Sequence, residues 1–84
     1  QDDGLSAQEL LEEQELVEQL TEAVQRLPER EQLVLSLLYH EGLSGKEVAE
    51  VLGVSPSRVS QIHTKALLGL RAYFRSRGVP VGAQ

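Results

Sequence analysis

The chain is 84 residues long, 40% hydrophobic and 25% charged, the make-up of one small folded domain rather than of a disordered tract. Cysteine is absent, which excludes disulfides and thiolate zinc sites, and no apolar run approaches the ~18 residues of a membrane span. The net charge of −5 divides unevenly, with ten acids against two bases in residues 1–31 and five bases without an acid in residues 54–84, so a basic end is available to meet an anion.

A domain of this size buries only about 60% of its unfolded surface, enough for three or four helices around a thin core. Ser6-x-x-Glu9 reads as a capping box, which predicts a first helix. Apolar residues follow at Leu10, Val17, Leu20, Ala23, Val24 and Leu27, with Glu12, Glu13, Glu15, Glu18 and Glu22 mostly off that stripe. From Leu16 onward the spacing is that of an amphipathic helix. Pro28 interrupts it, and proline suits the first turn of a helix, where its missing N–H costs nothing. Helix one is therefore expected to end near Leu27 and helix two to start at Pro28.

Helix two carries Leu33, Val34, Leu37 and Leu38 and stops at Gly42, placed for a left-handed C-cap. Leu33, Leu37 and Leu38 are expected mostly in the core, with one edge open to form a groove for a partner, and the Tyr39 ring is expected in the core with its hydroxyl at the edge. Ser44-Gly45-Lys46-Glu47 is a second capping box. A short third helix then turns Val48, Ala49 and Leu52 inward and ends at Gly53. Ser55 is a good N-cap and Pro56 a good first-turn residue. The fourth helix, with Val59, Ile62, Ala66, Leu70 and Tyr73 on one face, stops before Gly78 and Pro80. No β-alternation competes with this all-α reading of four helices. The expected organisation is an acidic helix in 1–27, a core in 28–77 and a loose tail in 78–84.

Residues 44–66 have the form of a helix-turn-helix at the C-terminal end of the domain. Ala49 is small where two helices cross, Gly53 permits the left-handed opening of the turn, Val54 fills the corner, and Val59 and Ile62 anchor the second helix from behind. The other face of that helix is then free to enter a major groove. It carries Pro56, Ser57, Arg58, Ser60, Gln61 and Lys65. Glutamine pairs bidentately with adenine, serine suits several bases, and Arg58 and Lys65 have the reach for guanine or phosphate. Ser55 stands at the helix start, where free N–H groups favour a phosphate. His63 is expected to pack or to lie toward phosphate.

The stretches Leu27-Pro28-Glu29-Arg30-Glu31-Gln32-Leu33-Val34-Leu35 and Gly53-Val54-Ser55-Pro56-Ser57-Arg58-Val59-Ser60-Gln61-Ile62-His63 resemble domain 4 of bacterial sigma-70-family factors. The wording Ser-Arg-Val-Ser-Gln-Ile-His is most similar to the flagellar and sporulation branch, the sigma-28 type. The likeness runs from about Leu11 to Arg75. It implies a cytoplasmic domain that reads the −35 promoter element in the major groove, grips the flap of the RNA polymerase β subunit, and is covered by an anti-sigma factor. Carried over by position, Pro56, Ser57, Arg58, Ser60 and Gln61 face bases or nearby phosphates. Arg30, Ser44, Lys46, Ser55 and Lys65 face the DNA backbone. Housekeeping members resemble Arg-Glu-Arg where this chain has Pro56-Ser57-Arg58, so a different −35 element, richer in A/T, is expected. Methionine is absent, and a reading frame begins with one, so a piece of a longer protein is expected; no basic-then-apolar start suggests a secretory signal.

Two other readings compete. The DNA-binding domain of LuxR-type response regulators shares the wording of residues 30–49, but it favours Thr-Val-Lys-x-His in the recognition helix. Here His63 is displaced by one residue, about 100° around the helix. A protein-interaction module is the rival of another class, with acidic helix one as its face. An enzyme is not expected: His40 and His63 stand far apart in the chain, and no nucleophile–base set, phosphate loop, metal site or cofactor site is visible.

Overall fold

The computed structural model describes residues 7–78, with side chains from residue 12 onward. Its elements are α1 (Ala7–Gln25), α2 (Glu29–Leu35) running directly into a π-helical segment (Ser36–His40), α3 (Gly45–Leu52) and α4 (Pro56–Ser76). The all-α, four-helix expectation is met, and no strand occurs among the described residues. The Ser6 capping box and residues 79–84 lie outside the described residues.

The core forms where α3 and α4 close on the end of α2. Val34, Val48, Ala49, Val59 and Ile62 are buried there, and Leu37, Leu38, Leu43, Leu52 and Val54 pack around them half-buried. Most of these side chains are small or β-branched, which lets the three helices approach closely. Ala49 is 3% exposed, as its role at the helix crossing requires. Further along α4, Ala66 is fully buried, and Leu70 and Tyr73 are half-buried on the same face.

Three boundaries carry the architecture. Pro28 is the N-cap of α2 rather than its first residue, with φ −55° and ψ 150°. The proline disfavours helical backbone at Leu27, so α1 ends at Gln25 and the chain turns. The Gln32 side chain then ties that corner, its Nε2 donating to the carbonyls of Leu27 at 2.8 Å and Gln25 at 3.3 Å. Gly53 is left-handed at φ +71°, and the Val54 N–H reaches the Ala49 carbonyl at 3.0 Å. This is the αL stop that the helix-turn-helix reading demands.

The third boundary was not foreseen. After Leu35 the helix widens, and the Glu41 N–H bonds back to the Ser36 carbonyl at 3.0 Å, five residues away. The wider turn takes Tyr39 out of the position that 3.6 residues per turn would give it one turn beyond buried Leu35. Tyr39 is 67% exposed, so its expected place in the core is corrected. Leu33, at 44% exposure, lies on the edge left open for a groove rather than in the core. Glu31, Val34 and Leu35 fill the buried arc of α2, and Leu33, about 100° from Val34 around the helix, falls outside it.

Among its described side chains, helix α1 docks through the last turns. Ala23 is buried and Val24 and Leu27 are half-buried, whereas Leu16, Val17 and Leu20 remain exposed. Its anchor is the far end of α4. The guanidinium carbons of Arg26 and Arg77 lie 5.6 and 4.6 Å from the Tyr73 ring centroid. Glu22 pairs with both arginines, at 3.4 and 3.8 Å. Gly69 allows the close approach: a Cβ there would stand 2.7 Å from Cδ2 of Leu27.

Candidate nucleic-acid interface

The helix-turn-helix is built from two capped helices set on the buried side chains of the core. Ser44 caps α3 in a complete capping box, its Oγ accepting the Glu47 N–H at 3.1 Å while its own N–H donates to Oε1 of Glu47 at 2.9 Å. Ser55 caps α4 by accepting the Arg58 N–H on Oγ at 3.1 Å. Each serine spends an acceptor on its cap and keeps its O–H to donate. That remaining donor suits a phosphate oxygen, so capping and the expected backbone role are compatible at both positions.

Val59, Ile62 and Ala66 point into the domain, which fixes the rotation of α4. Pro56, Ser57, Arg58, Ser60, Gln61 and Lys65 are all exposed on its remaining surface. Thr64 is exposed among them, three residues after Gln61 and seven after Ser57, hence on the same face. The sequence reading passed over Thr64, although that helical spacing would have found it. Arg58 and Gln61 touch, Nη1 donating to Oε1 at 3.3 Å, so the two side chains hold each other on the exposed face.

The backbone-facing candidates separate into two places. Ser44 and Lys46 stand exposed at the start of α3, and Ser55 at the start of α4, where N-terminal N–H groups favour anions. Arg30 lies on α2, and with Glu29, Leu33 and Leu52 it lines a cleft of about 440 Å³ on the α2–α3 side. The basic run of the sequence is divided as well. Arg58 and Lys65 sit on the exposed face of α4, whereas Arg77 is spent on Glu22 and the Tyr73 ring.

Among the described residues no three His, Asp or Glu side chains gather in a way that would hold a metal ion. No described helix is long and apolar enough to cross a membrane. His63 is half-buried on the flank of α4, with its Nε2 2.7 Å from the Tyr39 hydroxyl.

Residues 23–72 match the family model of sigma-70, region 4. The chain belongs to this sigma-70 family. Among similar proteins, the RNA polymerase sigma factor FliA of Pseudomonas aeruginosa is 58% identical over 53 residues, 63% of this chain and 22% of that protein. The RNA polymerase sigma-D factor of Bacillus subtilis is 46% identical over 70 residues, 83% of this chain and 28% of that protein. In three dimensions the chain superposes on the flagellar sigma/anti-sigma complex Sigma-28/FlgM with a TM-score of 0.75 and 45% identity, over 87% of this chain and 31% of that one. The sigma-28-type resemblance is thereby supported from both sequence and structure. This region 4 chain spans about a quarter of the length of the curated relatives it matches.

Proposed function

We propose that this chain is the part of a sigma-28-type factor that recognises the −35 promoter element in transcription initiation. The observation that carries the reading is the exposed face of α4. Ser57, Arg58, Gln61 and Lys65 project from a helix whose opposite face is locked by Val59, Ile62 and Ala66. A helix presented in this way fits a major groove. Pro56 and Ser57 bring no charged pair to the first turn, which favours a −35 element richer in A/T than the housekeeping one. The family match supports this reading over the LuxR-type domain.

The rest of the surface suits docking to RNA polymerase core. Leu33 and Leu52 give the cleft beside Arg30 an apolar wall, in keeping with the β-flap grip that the family resemblance implies. A second, larger cleft of about 800 Å³ runs between α1, α2 and α4, walled by Leu20, Val24, Leu35, Leu67 and Leu70. An anti-sigma partner is part of the proposal, because the similar solved structure is a sigma/anti-sigma complex. The domain acts by binding, not as an enzyme, and works in the cytoplasm.

The test is transcription in vitro from a sigma-28-type and a housekeeping promoter. Core polymerase would be combined with a sigma factor carrying this chain as its region 4, and with its Ser57→Ala and Gln61→Ala variants. Initiation confined to the sigma-28-type promoter and lost in the variants is expected. A folded protein that initiates at neither promoter would refute the reading.

A further inference from the structure

The contact between Tyr39 and His63 serves neither the core nor the face assigned to bases. The hydroxyl is 2.7 Å from Nε2 of His63, and the rings lie 5.6 Å apart at 42°. With Tyr39 67% exposed, this aromatic adds little to apolar burial. The π-helical segment is what carries it there, and such segments inside α-helices often mark functional positions.

Its location is informative. Tyr39 and His63 line a cleft of about 310 Å³ together with Gly45, Pro56 and Ser60. Gly45 opens α3 and Pro56 opens α4. The cleft therefore adjoins Ser44, Lys46 and Ser55 on one side and the base-facing residues on the other. A helix lying in a major groove has a phosphate chain along each flank, and this cleft is the flank on which α3 begins.

The donor count fits that position. A neutral imidazole has one N–H and the phenol one O–H. Whichever group donates across the 2.7 Å contact, the other keeps one donor unspent. The pair therefore presents a single neutral donor from two side chains that hold each other in place. Phosphate oxygens are acceptors only, so they can always use it, and such contacts position a protein on DNA without reading sequence.

We propose that the Tyr39–His63 pair is a DNA phosphate contact on the α3 flank of the recognition helix, acting as one unit. The proposal rests on the promoter-binding reading of the same face. Tyr39 is the positioning member and His63 ties it to α4.

The test is competition by short duplexes, one carrying a −35 element and one unrelated, for polymerase holoenzyme containing this chain. It is run at pH 8, above the ordinary imidazole range. Tyr39→Phe is expected to weaken both duplexes by the same about three- to tenfold, the worth of one hydrogen bond. His63→Phe should do likewise, and the double variant should be no weaker than the weaker single one. The salt slope should stay unchanged, because a neutral donor displaces no counterion, whereas Lys46→Ala should flatten it by about one. Unchanged affinity in Tyr39→Phe, beside a weakened Gln61→Ala, would overturn the proposal and leave the pair a tether. Loss confined to the −35 duplex, with a lowered melting temperature, would overturn it as well. A wild-type holoenzyme without −35 preference overturns the promoter reading instead, and equal losses on the unrelated duplex would still establish the phosphate contact.

Discussion

Replacing Gln61 by alanine separates base reading from backbone contact. The side chain is exposed, and its one recorded partner is Nη1 of Arg58 at 3.3 Å. Alanine is also the better helix former, so folding stability should change by less than ~0.5 kcal/mol. Binding should change far more. A bidentate glutamine–adenine contact is worth about 1–3 kcal/mol of discrimination, roughly a 5- to 150-fold loss of affinity at 25 °C. The assay is holoenzyme binding to a −35 element and to each of its single base-pair substitutions. Gln61→Ala should weaken the parent site and leave one substituted site unaffected, because that site has already lost the same contact. Arg58→Ala should lower the salt slope by about one and also blur discrimination at the base pair that Gln61 reads. Oε1 has two lone pairs, so the arginine can hold the amide while adenine pairs with it. The two variants should therefore be non-additive in a double-mutant cycle. Equal loss on every sequence with Gln61→Ala would refute the base-reading role and make Gln61 a phosphate contact.

Other consequences follow from particular features of the fold. A Cβ at Gly53 meets nothing within 4 Å, so Gly53→Ala costs only the left-handed backbone at φ +71°, about 1 kcal/mol. That is roughly 4–8 °C in a melting curve, Gly53→Asn should lose less, and an unchanged Tm would refute the αL requirement. The Tyr73 hydroxyl is buried without a hydrogen-bond partner. Tyr73→Phe should accordingly raise stability by ~1 kcal/mol in denaturant titration, and a loss would show that the hydroxyl is bonded in solution. With Arg30, Lys46, Arg58 and Lys65 as the exposed cations of the interface, the log–log salt slope of DNA binding should be about −3 to −4. The chain by itself, at net charge −5, should bind promoter DNA weakly, with polymerase tethering supplying most of the affinity. Nanomolar sequence-specific binding by the 84 residues alone would contradict that.

Much of the helix-turn-helix was legible because its signals are local. Ser44-x-x-Glu47, Gly53 and Ser55-Pro56 each dictate backbone geometry over a few residues, and each acts in the fold as its chemistry requires. The apolar spacing of Val59, Ile62 and Ala66 fixed which side of α4 is buried and so which side is left exposed. The family resemblance rested on the stretches 27–35 and 53–63, the second of which includes Gly53, Ser55 and Pro56.

What the sequence could not express depends on competition for a limited core. Helical periodicity nominated Tyr39 for burial and left Leu33 between core and groove edge, but α3 and α4 closing on the end of α2 enclose too little volume to take every apolar side chain. Val34, Val48, Ala49, Val59 and Ile62 fill it, leaving Leu33 on a cleft wall. The π-helical turn that redirects Tyr39 to His63 has no signature in Ser36-Leu37-Leu38-Tyr39-His40. The stripe on α1 foretold a helix but not its docking. Only the tertiary structure decides that its last turns pack on α4 around Ala23 and Tyr73 while Leu16, Val17 and Leu20 stay exposed.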